Sequence, residues 1–354
     1  MSTPQFTGIQ VLRFVAAMLV VVMHTSEAIS LRSINAGSGH FWSGGSAGVD
    51  IFFVISGFVM AMSTAGLPAG GAARLSAAWT FMKRRLMRIA PLYWFYTLLK
   101  AAMVLALPGL ALRSSVDPEH LLASMLFIPA TSPWGLIQPT LPVGWTLNFE
   151  MLFYGVFALS IALGVARIRF ALLAFLLIFL AGHFFPEAVL LNFYAQSLVF
   201  EFILGMGIAH VFLNYRRLSP AAGLMAIVAG LVLMFGINWG DSADRLSTWG
   251  AGAALMVLGA VWLEPWTARS PMVSRLSFLG DTSYSIYLSH TFTVPAAVLV
   301  FKHLGIQDGR VIIPAVGLLV IVSGCLSYVW LERPMTRFLK RILFRAPKLS
   351  FTQS

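Results

Sequence analysis

Charged residues are scarce in this chain. Only 10% of its 354 residues are Asp, Glu, Lys or Arg, whereas 58% are hydrophobic, and the mean hydropathy is +0.84. A soluble domain carries roughly 25% charged residues, so a chain this poor in charge cannot cover a water-facing surface. The composition therefore excludes a soluble globular protein and predicts one that spans a membrane several times.

Cysteine and metal-binding patterns are also in short supply. The single cysteine, Cys325, excludes an intrachain disulfide. No His-Glu-x-x-His, Cys-x-x-Cys or paired His at i, i+4 occurs, so we expect no metal. No linker rich in Ser, Pro or charge separates a second domain. We expect one membrane domain over residues 1–345 and a short cytoplasmic tail over 346–354.

Long apolar runs fill most of the remaining sequence. They are continuous and about twenty residues long, which favours transmembrane helices over the short alternating strands of a barrel. The predicted fold is an all-α polytopic bundle of about ten spans. These lie near residues 8–29, 46–64, 89–111, 145–164, 169–186, 190–212, 219–238, 246–264, 279–301 and 311–331.

The distribution of basic residues predicts how this bundle is oriented. Ten spans put both termini on one side, and the segments on that side hold seventeen Lys and Arg against five on the other. Cytoplasmic segments carry the excess of basic residues, so we expect cytoplasmic N- and C-termini. The same bias explains the net charge of +11 without a nucleic-acid partner.

The first span carries an ionisable residue at each end of its apolar core, Arg13 and His24. Their separation of eleven residues puts both on one helix face, about 16 Å apart along the axis. Ionisable groups inside a membrane are costly and usually face a cavity or a partner. Two plainer interpretations stay open: Arg13 as an interfacial anchor, and His24 as a hydrogen-bonded packing residue.

Asp50 opens the second span from the outer side, within "GVDIFFVISGF". The hairpin between the first two spans is short, so we expect Asp50 to reach the depth of His24. A carboxylate beside an imidazole fixes its tautomer and raises its basicity, as in acyl-transfer sites. The alternative is that Asp50 only favours the start of its helix.

Further polar residues are distributed along later spans. Arg85 and Arg88, at i and i+3, share one face of a basic cytoplasmic segment that would bind phosphate groups or anionic lipid. Glu150 lies in an apolar span and needs a partner or a proton. "DTSYSIYLSH" sets Tyr284 and His290 on a hydrogen-bonding helix, which could equally serve helix–helix packing.

Five of these segments, in this order, resemble the acyltransferase 3 family of integral membrane acyltransferases. They are "GIQVLRFVAAMLVVVMH" with its Arg-x10-His motif, "GVDIFFVISGFVM", the Arg-x-x-Arg motif followed by "IAPLYW", "GWTLNFEMLFY" and "SYSIYLSH". The resemblance covers nearly the whole chain. The segment "PVGWTLNFEMLFY" resembles the corresponding segment of bacterial exopolysaccharide O-acetyltransferases of the succinoglycan-modifying type.

The resemblance implies a multi-pass enzyme of the bacterial inner membrane. It would move an acyl group, commonly acetyl from acetyl-CoA, onto a hydroxyl of a polysaccharide or lipid-linked oligosaccharide, with membrane lipid around it. The outer segment 112–144, rich in proline and aromatic residues, would offer the acceptor a stacking surface. The family pattern assigns catalysis to His24 with Asp50 and donor handling to Arg13, Arg85 and Arg88, and it leaves Glu150, Tyr284 and His290 as further candidates.

Several alternatives remain at this point. His24 would either deprotonate the acceptor hydroxyl or carry the acetyl group itself. The same chemistry on a non-glycan acceptor fits equally well. A secondary transporter of a lipid-linked sugar would also need intramembrane charges, but it predicts repeated halves, and the sequence has none that we can find.

Overall fold

The fold is seen in a computed structural model, which describes residues 6–32, 42–66, 73–106, 116–215, 219–237 and 244–344. Within these ranges the chain is almost entirely helical, with one isolated bridge between Thr131 and Ile137 and no strand. The helices are α1 (Thr7–Arg32), α2 (Ala47–Thr64), α3 (Ala73–Ala106), α4 (Pro118–Met125), α5 (Trp145–Leu163), α6 (Arg167–Phe184), α7 (Val189–Tyr194), α8 (Val199–Asn214), α9 (Pro220–Leu231), α10 (Ala251–Trp262), α11 (Glu264–Thr267), α12 (Pro271–Asp281), α13 (Ser283–His303), α14 (Gly309–Ser327) and α15 (Arg333–Leu343).

Seven helical segments are long and apolar enough to cross a membrane, and three shorter apolar helices accompany them. The seven segments include α1, α3, α5, α6 and α13, together with α2 and its preceding turn and the continuous run Gly309–Leu343. The shorter ones are Val199–Asn214, Pro220–Gly236 and Leu246–Trp262. These findings confirm the predicted all-α polytopic bundle.

Two predicted spans have different boundaries in the structure. The run 190–212 is broken: α7 ends at Tyr194 and α8 begins at Val199, and between them the Gln196 side-chain amide donates to the Phe193 carbonyl (2.8 Å). The third span begins sixteen residues earlier than predicted, at Ala73 rather than residue 89. Its basic segment is therefore the first half of one 34-residue helix that contains Pro91.

Hydrogen bonds between helix ends show which termini share one end of the bundle. Arg167 donates to the carbonyl of Thr64 (2.9 Å), and Arg74 donates to that of Leu163 (3.4 Å). The C-terminal ends of α2 and α5 therefore meet the N-terminal ends of α3 and α6. Helix α15 packs on α3 in the same region. We call this end of the bundle, where α15 meets the first half of α3, the basic end.

The predicted tail, 346–354, and residues 112–115 lie outside the described residues.

Helix α2 packs closely against α8 at the centre of the apolar core. Gly57 of α2 lies against the Phe202 backbone, and Gly205 of α8 lies against the Val54 carbonyl, so neither position has room for a side chain. Phe202 stacks between Phe53 (centroids 4.6 Å apart) and Phe153 (4.4 Å). Small residues at the contact permit this close packing, as membrane helices commonly require.

Candidate active site

Two adjoining cavities enter the bundle from the basic end. The larger one, about 980 Å³, lies mainly between α3 and α15. The narrow one, about 120 Å³, lies deeper, among α1, α2, α3, α5 and α13. Arg85 and Arg88 line both cavities, so the i, i+3 pair marks their junction.

The narrow cavity gathers residues from five helices that the sequence spreads over 270 positions. Five of the eight predicted site residues line it: Arg13, Arg85, Arg88, Glu150 and Tyr284. Three cations and one carboxylate thus share a small space with the hydroxyl groups of Ser56, Thr146, Tyr154, Tyr284 and Tyr287. Such a site suits a polar, partly anionic ligand better than a purely apolar one.

Hydrogen bonds orient the polar groups of this cavity. Glu150 accepts hydrogen bonds from the hydroxyls of Ser56 (3.0 Å) and Tyr154. Arg85 donates to Ser63 (3.3 Å), while the Tyr284 hydroxyl donates to a backbone carbonyl of α3 (2.7 Å). The half-buried carboxylate of Glu150 therefore has the hydrogen-bond partners that the sequence analysis expected for it.

An aromatic contact lies toward the opposite end of the narrow cavity. Phe52 and Tyr287, which both line the cavity, meet edge to face with their centroids 6.0 Å apart. The Tyr287 hydroxyl donates to the Val143 carbonyl (3.0 Å) and shares a hydrogen bond with Thr146 (2.9 Å). Neither His24 nor His290 lines the cavity, but the Tyr287 ring lies 5.8 Å from that of His290, so Tyr287 connects the cavity wall with the histidines.

His24 lies outside the narrow cavity with two neighbours. Its Nδ1 is 2.9 Å from the carboxylate of Glu27, and the two side chains are 32% and 44% exposed. Because an ionised carboxylate only accepts hydrogen bonds, Nδ1 of a neutral His24 carries the proton and Nε2 is left unprotonated. The His24 ring stacks on that of His290 (centroids 5.2 Å apart), a buried residue with no hydrogen-bond partner in the described part of the chain.

The predicted contact between Asp50 and His24 is not formed, so that prediction is wrong. Asp50 is fully buried and forms a two-pronged ion pair with Arg245, at 2.9 Å to Nε and 2.7 Å to Nη2. Arg245 also donates to the Ser46 carbonyl (3.0 Å) and lies over the Trp249 ring. A bidentate arginine pair outcompetes a neutral imidazole for a buried carboxylate. Glu27 therefore occupies the position beside His24 that the sequence analysis gave to Asp50.

Sequence reasoning missed two of these partners for different reasons. Glu27 follows His24 by three residues, a spacing that brings side chains together on a helix, so the signal was present. Arg245 lies 195 residues from Asp50 and has no local pattern that would pair them. Among the described residues, no three His, Cys, Asp or Glu side chains cluster as metal ligands would.

Comparisons with known proteins show which family the chain belongs to. Residues 6–331 match a family model described as an acyltransferase domain. The chain is 38% identical to the exopolysaccharide production protein ExoZ of Rhizobium meliloti over 310 residues, which cover 85% of this chain and 92% of that protein. It is 28% identical to the acyltransferase MdmB of Streptomyces mycarofaciens over 163 residues, or 44% of this chain and 38% of that one. No solved structure matches. The chain is a multi-pass membrane enzyme and belongs to the acyltransferase 3 family.

Proposed function

We propose that this acyltransferase moves an acetyl group from acetyl-CoA to a hydroxyl group of an exported bacterial polysaccharide. One observation carries the proposal: a basic cavity, a narrow polar cavity and a histidine paired with a carboxylate follow one another through the bundle. Similarity to a protein named for exopolysaccharide production supports the choice of acceptor.

In this proposal the basic end faces the cytoplasm of the bacterial inner membrane. Basic segments remain on the cytoplasmic side, and acyl-CoA is available there. Arg85 and Arg88, at the junction of the cavities, bind the phosphate groups of the donor. Arg13, deeper in the narrow cavity, contacts the arm that carries the thioester.

His24 is the proposed base. Glu27 holds Nδ1–H, so the free Nε2 takes the proton of the acceptor hydroxyl. The hydroxyl oxygen attacks the thioester carbonyl carbon, the carbon–sulfur bond breaks, and the CoA thiolate leaves and accepts a proton. The thioester reaches His24 once the contact between Phe52 and Tyr287 opens. His290, stacked against His24, keeps the ring in place.

An acetyl-histidine route uses the same residues. Nε2 of His24 then attacks the thioester, CoA leaves, and the acceptor oxygen displaces the imidazole from the acetyl group. This route suits a site at which donor and acceptor approach from opposite ends, because they need not meet at the same time. An acetylated His24, trapped in the absence of acceptor and detected by mass spectrometry, would distinguish it from direct transfer.

The other functions considered above have less support. Membership of an acyltransferase family favours an enzyme over a transporter of lipid-linked sugar. A non-glycan acceptor would use the same residues and the same donor. The acceptor is therefore tested by the acetyl content of the surface polysaccharide, measured by NMR in cells with and without the protein.

The same cells test the catalytic residue. A strain that carries His24→Ala should make polysaccharide as poor in acetyl groups as a deletion strain, with an unchanged amount of protein in the membrane. Wild-type acetylation in the His24→Ala strain would overturn the proposed mechanism. Unaltered polysaccharide in the deletion strain would overturn the proposed acceptor.

A further inference from the structure

We propose that α15 supplies half of the binding site for the phosphate groups of the acyl donor. The residues are Arg333, Arg337 and Lys340, which face Arg84 and Arg88 of α3 across the larger cavity. The inference rests on the proposed function, because it takes a CoA thioester as the ligand. It extends the donor site to a C-terminal helix that begins after the last residue of the family match.

One face of α15 lines the cavity. The lining residues of this helix are Arg333, Thr336, Arg337 and Lys340, followed by Phe344 just after its end. They are spaced at i, i+3, i+4, i+7 and i+11, which is one stripe of an α-helix. Arg341, one position past Lys340, is not among the lining residues, so the three cations in the stripe face the cavity as a set.

Helix α3 presents a matching stripe. Ala73, Ser76, Ala77, Thr80 and Arg84 line the same cavity with the same spacing. Both walls project because their helices are long: α3 has 34 residues and the run that ends in α15 has 35. Each is about 50 Å long at 1.5 Å per residue, against a hydrocarbon core of about 30 Å. The cavity between the projecting ends is therefore accessible from water.

The charge of the cavity calls for a polyanion. Six cationic side chains line it, namely Arg84, Arg85, Arg88, Arg333, Arg337 and Lys340, against the two carboxylates of Asp281 and Glu332. Glu332 accepts a hydrogen bond from the Ser285 hydroxyl (2.7 Å) and keeps its charge, so the cations outnumber the carboxylates. The nucleotide of CoA carries a 3′-phosphate and a pyrophosphate. Cations on two facing walls bind such a ligand through several charge-assisted hydrogen bonds.

The direction in which the cations of α15 point distinguishes this role from lipid binding. Phe338 and Ile342 are 63% and 54% exposed and lie away from the cavity, where they can enter the membrane interface. A helix that bound anionic lipid alone would direct its cations outward to the headgroups. Here Arg333, Arg337 and Lys340 line the cavity instead.

The test measures binding of CoA and of 3′-dephospho-CoA to the full-length protein in discs of neutral lipid. We expect wild type to prefer CoA. The double variant Arg337→Ala/Lys340→Ala should bind CoA about tenfold or more weakly, since each charged hydrogen bond contributes that order of affinity, and its preference for the 3′-phosphate should shrink. Arg341→Ala, the matched control on the same helix, should bind like wild type. Arg337→Lys/Lys340→Arg, which keeps both charges, should retain most of the affinity.

Three results would overturn the inference. Equal CoA affinity for wild type and the double variant would remove α15 from the donor site and leave the proposed function intact. Failure of wild type to bind CoA would overturn the proposed donor as well. If the double variant kept its CoA affinity and lost thermal stability only in phosphatidylglycerol discs, the stripe would bind lipid headgroups.

Discussion

At the scale of single residues, the site depends on which carboxylate each charged group finds. His24 pairs with Glu27 on its own helix, and Asp50 pairs with Arg245 across the bundle. The first contact is local and could have been predicted from the i, i+3 spacing. The second joins residues far apart in sequence, and only the packing of α2 against the turn before α10 brings them together.

Replacing Glu27 by Gln should slow acyl transfer. The amide keeps the shape of the side chain but loses the charge that stabilises the protonated imidazole, so we expect kcat to fall about tenfold to a hundredfold. The donor KM should not change, because Glu27 lies outside both cavities. Rates with labelled acetyl-CoA measure both constants, with Glu119→Gln on α4 as an exposed control. A Glu27→Gln enzyme with a wild-type kcat would rule out the dyad.

Replacing Asp50 by Asn should act on stability instead. The change takes the charge from the fully buried partner of Arg245, whose own side chain is 27% exposed, so the loss should be about 3 kcal/mol, the lower end of the range for a broken buried ion pair. We expect a lower melting temperature and less protein in the membrane, with partial recovery in Asp50→Asn/Arg245→Gln. Normal stability combined with a His24-like loss of activity would restore the catalytic role that the sequence suggested for Asp50.

At the scale of helices, the sequence predicted which membrane helices exist better than it predicted where each one begins and ends. Apolar runs marked the spans because lipid leaves a helix little alternative. The start of α3 was missed, since its charged first half lies outside the apolar window. The break before α8 was missed because residues 190–212 form one largely apolar run in the sequence. The cavity between α3 and α15 needed the positions of both helices, so no single stretch of sequence could reveal it.

The close contact between α2 and α8 gives a prediction at this scale. A methyl group at Gly205 would collide with the backbone of α2, whereas one at Gly207 would meet no atom within 4 Å. Gly205→Ala should therefore destabilise the protein by about 1–3 kcal/mol through overpacking. Gly207→Ala should be neutral or slightly stabilising, because alanine favours a helix. Thermal unfolding of the two purified variants makes the comparison, and equal melting temperatures would contradict the packing described.

At the scale of the whole molecule, the proposed reaction needs one orientation of the bundle in the membrane. The basic end should face the cytoplasm, and the segment between α4 and α5 should face outward. Cysteines can test this in a Cys325→Ala background, at Ala268 near the basic end and at the exposed Thr131 on the other side. A membrane-impermeant maleimide should label Thr131→Cys in intact cells and label Ala268→Cys only after the cells are opened. The reverse pattern would invert the proposed path of the donor.

The proposed function has the enzyme transfer an acetyl group from acetyl-CoA to a polysaccharide hydroxyl with His24 as its catalytic residue. The most direct measurement supplies the purified full-length protein in lipid discs with radiolabelled acetyl-CoA and chemically deacetylated polysaccharide. Wild type should transfer label to the polysaccharide, and His24→Ala, matched in amount and melting temperature, should transfer none above background. Equal transfer by the two proteins, or no transfer by wild type, would contradict the account.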